Sequence, residues 1–175
     1  GLLDRQVESL PSDAELAERK ARGQGLTRPE LAVLLAYDKI DLKRTLLDSD
    51  VPEDPYLSQE LVRYFPQPLH ERFAAHMQRH RLKREIIVTA VTNSTVNRMG
   101  ATFMLRMQED TGQTAAAVAK AYTAAREIID ARDTWAAIEA LDGKVPESVQ
   151  VEASLQLWKL LRHMTRWLLN RPAAG

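Results

Sequence analysis

The stretch LTRPELAVLLAYDKIDLKRTLL, residues 26–47, decides the fold class of this chain. Thr27 is a typical helix N-cap, Glu30 completes a capping box with it, and Pro29 lies in the first turn, where its missing N–H costs nothing. Leucines then recur at helical spacing on one stripe: Leu31, Leu34, Leu35, Leu42 and Leu46. This spacing predicts an amphipathic α-helix from Thr27 to about Leu47.

The same helical periodicity continues on both sides of this stretch, in segments that Gly and Pro residues separate. The further predicted helices cover residues 12–22, 57–65, 69–78, 82–99, 101–108, 114–129, 131–141 and 146–170. No segment alternates apolar and polar residues between turn signals, as a strand would. The sequence therefore predicts an all-α fold, an irregular multi-helix bundle of about seven to nine helices with no sheet.

Composition bounds the classes of protein to which the chain can belong. Its 175 residues carry 24 basic and 24 acidic side chains, and this balance gives no indication of nucleic acid or an anionic membrane as a partner. The absence of cysteine excludes disulfide scaffolds, thiolate metal sites and a Cys nucleophile. No apolar run reaches the roughly 18 residues that a membrane span needs, so we expect no span and a cytoplasmic location.

We expect a single domain over residues 1–175 that is a piece of a longer chain. The opening GLLDRQVESL lacks Met and is typical of the tail of a helix already in progress. Residues 1–25 are therefore interpreted as a helical lead-in from a preceding domain. Leu2, Leu3 and Val7 are expected to be exposed and to contact that domain.

No motif for phosphate binding, acid–base catalysis or metal binding is complete in the chain. Gly23-Gln24-Gly25 lacks the third glycine and the preceding strand of the dinucleotide fingerprint. His76 and His80 share a helix face, but no third ligand lies at a fixed spacing, so a solvated surface is favoured over a metal site. We therefore predict no catalytic, cofactor-binding or metal-ligating residue in this chain.

A basic run without an acidic residue occupies residues 72–84. It contains Arg72, Arg79, Arg81, Lys83 and Arg84. One interpretation is a contact for RNA or another polyanion. The other is a solvated face that pairs with the acidic linker at residues 48–54, and this second interpretation is favoured because the linker supplies the opposite charge.

Charged and amide side chains interrupt two predicted apolar stripes. Asp38 falls within the leucine stripe of residues 26–47, and Arg98 falls among the apolar residues of the 82–99 helix. A buried charge is costly without a partner, so the two residues either pair with each other or reach water. Asn93 and Asn97 border the same stripe and are expected to hold backbone groups of a neighbouring segment. These four residues form the predicted structural polar network.

The last predicted helix is apolar on two sides. One stripe is expected to lie in the core: Leu157, Leu160, Leu161, Met164, Trp167 and Leu168. Leu155, Trp158 and Leu169 occupy a second side, and Arg162 and Arg166 lie on the remaining face. Because a helix of this kind is typically buried between layers or at an interface, we predict that these five residues form an interdomain or intersubunit contact.

Four stretches of the chain resemble the large bacterial NAD-specific glutamate dehydrogenases. They are LTRPELAVLLAYDKIDLKRTLLDSDVPEDPYL (26–57), FPQPLHERF (65–73), HRLKREIIVTAVTNSTVNRMGATFMLR (80–106) and AYTAAREIIDARDTWAAIEALD (121–142). They occur in the order that the family has and cover nearly the whole chain. In that family the similar region lies at the C-terminal end, as a helical region after the catalytic domain.

The resemblance implies a division between the parent enzyme and this piece of it. The parent enzymes oxidatively deaminate L-glutamate to 2-oxoglutarate and ammonia and reduce NAD, with the catalytic lysine and the dinucleotide-binding domain upstream of the similar region. The resemblance therefore implies NAD in the parent, no cofactor in this fragment, and a structural, interdomain or oligomerisation role. The implied partners are the catalytic domain of the same chain and neighbouring subunits. The alternative is a free-standing helical binding module that uses residues 72–84 to bind RNA or another polyanion.

Overall fold

A computed structural model describes residues 3–171, and Leu2, one of the expected exposed residues, lies outside them. Nine α-helices and no β-strand occur within that range. The helices are α1 (Asp13–Ala21), α2 (Arg28–Leu47), α3 (Gln59–Tyr64), α4 (His70–Gln78), α5 (Lys83–Met99), α6 (Phe103–Thr111), α7 (Ala115–Ile128), α8 (Ala131–Glu139) and α9 (Glu147–Leu169). The prediction of an all-α, irregular multi-helix bundle without a sheet is confirmed over the described residues.

Capping residues in the sequence set the starts of three helices. Ser12 is the N-cap of α1, and Thr27 is the N-cap of α2. Each forms a complete capping box with the glutamate three residues later, Glu15 and Glu30 respectively. Thr114 caps α7, because its hydroxyl accepts a backbone N–H of the first turn at 3.2 Å. Each cap satisfies N–H groups that the start of a helix otherwise leaves unpaired.

Proline and glycine set other boundaries. Short 3₁₀ turns at Val51–Glu53 and Gln67–Leu69, which the periodicity did not predict, form around the prolines between α2 and α4. Gly100 ends α5 with a φ of 88°, and Gly112 ends α6 with a φ of 68°. Both glycines therefore occupy backbone conformations that are strained for residues with a Cβ atom.

The hydrophobic core is centred on α5. This helix packs against α2 and α3, and α7 packs against α9. Most of the buried apolar side chains form one contiguous cluster, which includes Leu42, Leu46, Leu61, Ile87, Val91, Met107, Val118, Tyr122 and Leu161. Because the free energy of burial scales with the apolar area removed from water, this cluster is the main source of stability for the bundle.

The N-terminal part of the structure lies outside this core. α1 has no buried residue, and α2 buries only Leu42 and Leu46, both in its C-terminal half. Leu31, which belongs to the same predicted stripe, is 46% exposed. Leu35 packs against the core, so the leucine stripe leaves the core at its N-terminal end, at Leu31.

Residues 3–27 fold back along the N-terminal half of α2. The Tyr37 hydroxyl donates to a carboxylate oxygen of Glu8 at 2.6 Å, and Arg19 Nη1 lies 2.9 Å from Glu30 Oε2. Apolar side chains from both segments line a small pocket between them: Leu3, Leu10, Pro11, Leu16, Leu26 and Leu34. No helix in the described range has the length and apolar character that crossing a membrane requires.

Candidate functional site

A cluster of charged side chains is buried between α3, α7 and α8. Glu60 on α3 is 7% exposed, and Arg126 on α7 is 2% exposed. Glu60 Oε1 accepts hydrogen bonds from Arg126 Nη2 at 2.7 Å, Arg132 Nη2 at 2.7 Å and Arg63 Nη1 at 3.0 Å. One carboxylate therefore joins three helices through three guanidinium groups.

Glu127 supplies the second carboxylate of this charge cluster. Its Oε1 atom accepts hydrogen bonds from Arg126 Nη2 at 2.7 Å and from Arg126 Nε at 3.0 Å. Arg132 Nε also donates to it, at 3.3 Å, and Glu127 Oε2 lies 3.6 Å from Arg63 Nη2. Every charge in the cluster thus has at least one partner of opposite sign, which is the condition for burying an ion pair without a large penalty.

The arginines control the protonation of the two carboxyl groups. Burial alone would raise the pKa of Glu60, but the charge and hydrogen bond of Arg126, together with the charges of Arg132 and Arg63, outweigh it and hold this pKa below its ordinary value. The pKa of Glu127 is also lowered, because the hydrogen bond and charge of Arg126 outweigh burial. Both groups are therefore ionised at neutral pH and unsuited to donate protons in acid–base catalysis.

Ser94 connects the charge cluster to α5. Arg126 Nη1 donates to Ser94 Oγ at 2.8 Å, and the Tyr122 hydroxyl donates to the Ser94 carbonyl at 3.1 Å. Tyr122 is fully buried with its ring edge-on to Phe103, and burial raises the pKa of its hydroxyl. The network joins α3, α5, α7 and α8, so its chemistry positions helices rather than transforms a substrate.

Sequence reasoning did not single out Glu60 or Arg126. The signal for Arg126 was present, because it follows Tyr122 by four residues and Val118 by eight, which places it on the buried stripe of α7. The same signal, a charged residue on an apolar stripe, marked Asp38 and Arg98 in the predicted polar network. For Glu60 no local signal exists, since α3 has only six residues, too few to show a period.

Three members of the predicted polar network line a groove of about 330 Å³ between α5 and α8. Asn93, Asn97 and Arg98 lie on its α5 side. Arg98 Nη1 donates to Glu139 Oε1 at 3.0 Å, and its guanidinium carbon lies 4.5 Å from the centre of the Trp135 ring. Both asparagines are exposed, and within residues 3–171 neither side chain forms a hydrogen bond to a backbone group, so the expectation that they hold a neighbouring segment is wrong.

Asp38 stands apart from the other three residues of that network. Arg98 pairs with Glu139 on α8, so the alternative of an Asp38–Arg98 pair is wrong. Asp38 Oδ2 is buried and has no hydrogen-bond partner among residues 3–171. Burial raises the pKa of this carboxyl, and the nearby charge of Asp41 raises it further. The four predicted residues therefore do not form one network.

The core covers most of the predicted stripe of α9, namely Leu157, Leu161, Met164 and Leu168, and also part of the predicted second side. Trp158 and Leu169, predicted as contact residues, pack against the core, and Trp158 Nε1 donates to the Met99 carbonyl at 3.0 Å. Leu160 and Trp167, predicted to lie in the core, are about half exposed. A sequence shows which residues share a side of a helix, but the packing of α7 on α9 decides which side is buried.

Three further predicted contact residues lie at the surface of α9. Leu155 is exposed, as an intermolecular contact requires. Arg162 Nη2 and Arg166 Nη1 lie 3.9 Å and 3.7 Å from Asp110 Oδ2 of α6. Exposed ion pairs of this length contribute little to stability, so both arginines are available for other contacts. Their role at an interface stays a prediction.

The basic run at residues 72–84 lies on α4, the turn after it and the start of α5. Arg84 pairs with Glu53 of the acidic linker, and this confirms the expected pairing at one end of the run. Two other acidic groups of the linker, Asp50 and Asp54, instead lie 2.7 Å and 3.2 Å from Lys120 Nζ of α7. Charge pairing therefore fixes the linker against both α5 and α7.

His76 and His80 pack beside aromatic rings. Their imidazole centres lie 5.9 Å from the ring centre of Phe73 and 5.8 Å from that of Phe65, respectively. His80 Nδ1 also accepts a backbone N–H at 3.1 Å. Within the described part of the chain, no three His, Asp or Glu side chains converge as ligands of a metal ion would.

Gly23-Gln24-Gly25 forms the loop between α1 and α2. Gly23 has a φ of 69°, and its N–H donates to the Lys20 carbonyl at 3.0 Å, as the C-terminus of a helix requires. The loop follows a helix rather than a strand, so it does not form the turn of a dinucleotide-binding unit.

The described residues form an all-α domain with a buried charge cluster between α3, α7 and α8. The chain belongs to the family described as glutamate dehydrogenase, C-terminal, whose model matches residues 23–174. It is 50% identical over 170 residues to the NAD-specific glutamate dehydrogenase of Pseudomonas aeruginosa and 47% identical over 171 residues to that of Halomonas elongata. It is 36% identical over 168 residues to that of Mycobacterium tuberculosis.

These matches cover most of this chain and a small part of each relative. They include 97%, 98% and 96% of the chain but 10%, 11% and 10% of the respective relatives. The chain therefore spans about a tenth of the length of the curated relatives it matches. The resemblance to the NAD-specific glutamate dehydrogenase family is confirmed, whereas the alternative of a free-standing polyanion-binding module has no support from these matches.

Proposed function

We propose that this chain is the C-terminal helical domain of a full-length NAD-dependent glutamate dehydrogenase. The full-length enzyme oxidises L-glutamate with NAD and water to 2-oxoglutarate, ammonia and NADH. The observation that carries this proposal is the match of the family model to residues 23–174, together with relatives that bear that enzyme's name. The role of the domain is structural, through contacts with the catalytic part of the same chain and with neighbouring subunits.

Hydride transfer and NAD binding are assigned to the remainder of the full-length protein. The loop at residues 23–25 does not fit NAD, because it lacks the strand–turn–helix arrangement that presents backbone N–H groups to the pyrophosphate. The carboxylates of Glu60 and Glu127 are held ionised by arginines, and Glu60 is buried. Neither group is therefore suited to exchange a proton with glutamate.

The exposed apolar side chains of α9 support an interdomain role. Leu155 flanks the core stripe of this helix on one side, and Leu160 and Trp167 flank it on the other. Apolar side chains clustered at the surface in this way are typical of protein interfaces. We assign to these flanks, with Arg162 and Arg166 beside them, a contact with the rest of the full-length protein.

An activity assay on three proteins tests the proposed function. The full-length enzyme is expected to reduce NAD in the presence of L-glutamate, and the 175-residue chain is expected to be inactive. An enzyme truncated before this domain is expected to regain activity, or to co-elute with the domain, when the two are mixed at micromolar concentration. Activity of the domain alone would contradict the division of roles, and the absence of both rescue and co-elution would contradict the structural role.

Two matched substitutions test the part played by α9. Trp167→Gln is expected to weaken binding of the domain to the truncated enzyme by about tenfold or more, as aromatic residues at interfaces commonly do. Leu105→Gln on α6 is the control, since Leu105 is also an exposed apolar residue. An equal effect of both substitutions would show that the contact does not depend on α9.

A further inference from the structure

An apolar pocket of about 340 Å³ opens at the surface between α4 and the end of α3. Four carbon-rich side chains and two imidazoles line it: Phe65, Leu69, Phe73, Met77, His76 and His80. α4 packs on α3 and on the 3₁₀ turn at Gln67–Leu69, and Met77 is its one buried residue. The bundle therefore supports the base of the pocket and leaves its mouth at the surface.

Large apolar side chains are exposed around this pocket. Leu69 and Phe73, which line it, are 37% and 36% exposed. Tyr64, whose ring centre lies 5.4 Å from that of Phe65, is 63% exposed, and Leu82 in the turn after α4 is 55% exposed. Apolar surface that is concentrated in this way is typical of an interface. We call Tyr64, Leu69, Phe73, Leu82 and the pocket the α4 patch.

Three arginines border the α4 patch. The guanidinium carbon of Arg72 lies 5.3 Å from the centre of the Phe73 ring. Arg79 and Arg81 line a shallow hollow that adjoins the pocket at His80. The apolar surface therefore has guanidinium groups along its rim.

These arginines are not neutralised by acidic side chains of the described chain. Within residues 3–171, Arg84 is the one side chain of the 72–84 run that forms an ion pair, with Glu53. The acidic residue of α4, Glu71, lies roughly 160° from Phe73 around the helix, on the side away from the pocket. The rim of the α4 patch is therefore positively charged.

We propose that the α4 patch binds an acidic segment of the full-length protein from outside this domain. An apolar side chain of that segment fills the pocket, and its carboxylates accept hydrogen bonds from Arg72, Arg79 and Arg81. The inference rests on the structural half of the proposed function and adds a second contact to that of α9. Arginine suits this role, because one guanidinium can donate two parallel hydrogen bonds to one carboxylate.

Charge and the length of chain outside the structure identify the occupant. A purely apolar partner would fill the pocket but would leave three guanidinium groups unpaired beside the contact, which is costly. The relatives have about nine tenths of their length outside the matched region, since this chain covers 10% and 11% of two of them. An acidic segment of that length of chain therefore satisfies both the pocket and its rim.

A nucleic acid fits the α4 patch less well than an acidic segment does. Single-stranded nucleic acids stack their bases on open aromatic faces. Arg72 already lies over the Phe73 ring, and the Phe65 ring has Tyr64 and His80 packed at angles of 88° and 61° to it. The rings therefore line a pocket for a side chain rather than a platform for bases.

Labelling of introduced thiols in the full-length enzyme tests whether the α4 patch is covered. Leu69→Cys places a thiol at the pocket, and Ile40→Cys on α2 is the matched control, because Ile40 is 43% exposed. With peptide mass spectrometry as the readout, the thiol at position 69 is expected to react with a maleimide at least about tenfold more slowly. Nearby arginines favour the reactive thiolate, so slow labelling reports cover of the patch. Equal rates at the two positions would overturn the proposal.

Charge reversal in the Leu69→Cys enzyme tests the acidic character of the occupant. Arg81→Glu is expected to raise the labelling rate at position 69 by about tenfold or more, because it sets like charges against each other across the contact. Arg81→Lys keeps the charge, and Arg106→Glu makes the same reversal at an exposed position of α6, so both are expected to leave the rate unchanged. If Arg81→Glu and Arg106→Glu have the same effect, the occupant is not acidic and the proposal is overturned.

A photoreactive phenylalanine analogue at position 73 identifies the occupant in the full-length enzyme. A crosslink to a peptide from outside residues 1–175 that contains Asp or Glu beside an apolar residue supports the proposal. A crosslink to residues 1–175 of a second copy, or to no peptide, overturns it. Protection of position 69 that requires added single-stranded RNA also overturns it.

Glutamate-dependent NAD reduction is measured in parallel, so that the two proposals can fail separately. Protection of position 69 in an enzyme without this activity would contradict the proposed reaction alone. An active enzyme without protection would contradict the docking alone.

Discussion

Glu60 and Asp38 are two desolvated carboxylates that the same fold treats in opposite ways. Glu60 accepts hydrogen bonds from three arginines, and its pKa is lowered. Asp38 has a buried oxygen without a partner among the described residues, and its pKa is raised. The bundle around α5 and α7 therefore pairs its own buried charges, whereas the middle of α2, where Asp38 lies, leaves a buried carboxylate oxygen unpaired.

The position of each carboxylate in the fold explains the difference. Glu60 lies where α3, α7 and α8 come together, so guanidinium groups from each helix can reach it. Asp38 lies on α2 between Leu35, which packs against the core, and Leu42, which is buried in it. The contacts that residues 3–27 make with α2 lie on another side of the helix, so they bring no donor to its buried oxygen.

The largest expected effect comes from breaking the charge cluster. Arg126→Leu leaves Glu60 buried without its main partner, and we expect a loss of about 3–5 kcal/mol in the free energy of unfolding. Urea denaturation at pH 7 measures this loss. Arg63→Leu is the control, because Arg63 is partly exposed and is one of three arginines on Glu60, and a loss of equal size there would contradict the central role of Arg126.

A smaller effect is expected from Glu60→Gln, which should lower the free energy of unfolding by about 1.5–3 kcal/mol at neutral pH. The pH dependence checks its cause. Because the pKa of Glu60 in the folded chain lies below its ordinary value of 4.5, its stabilising contribution is present above pH 4.5 and disappears as the pH falls through the folded pKa. The substitution should therefore flatten the acid limb of the stability curve, and an unchanged limb would contradict this assignment.

Asp38→Asn should act in the opposite direction on the isolated chain. We expect a gain of about 1 kcal/mol at pH 7, because the substitution removes an unpaired buried charge. The folded pKa of Asp38 is raised above 3.8, so its favourable contribution is present below that pH and is lost as the pH rises through the folded pKa. The gain should therefore vanish near pH 3. Asp41→Asn should change little at either pH, and a loss of stability with Asp38→Asn would refute the comparison.

The smallest effect is expected for the exposed ion pair in the groove. Arg98→Ala removes the pair with Glu139 and the contact with the Trp135 ring, and we expect a loss of about 1 kcal/mol or less. Thermal denaturation at low and high salt measures it, and the loss should shrink as salt screens the pair. A loss as large as that of Arg126→Leu would mean that burial does not distinguish the two sites.

Local sequence patterns predicted the helices well because capping and periodicity act over a few residues. Thr27, Glu30 and Pro29 specify the start of α2 without help from the rest of the chain. The same patterns predicted α9 as a helix and most of its buried stripe, but not the burial of its second side. Trp158 packs against the core and donates to the Met99 carbonyl, and neither contact can be read from the spacing of residues along α9.

The polar contacts were harder to predict because their partners are distant in sequence. Arg126 and Glu60 are 66 residues apart, and Arg98 and Glu139 are 41 apart. A periodic pattern shows that Asp38 or Arg98 lies on an apolar stripe, but it does not show which charge comes near. The pairing of Asp38 with Arg98 failed for this reason.

The sequence by itself determined the all-α class, the boundaries of most helices and membership of a family, since these depend on caps, on period and on local similarity of sequence. The tertiary structure decided which charged side chains are satisfied, because satisfaction depends on atoms that meet only after the helices pack. It also decided that the stripe on α2 is covered at Leu46 and open at Leu31. Both leucines belong to the same apolar stripe, so their spacing cannot distinguish them. The difference in burial arises from the helices that pack against α2.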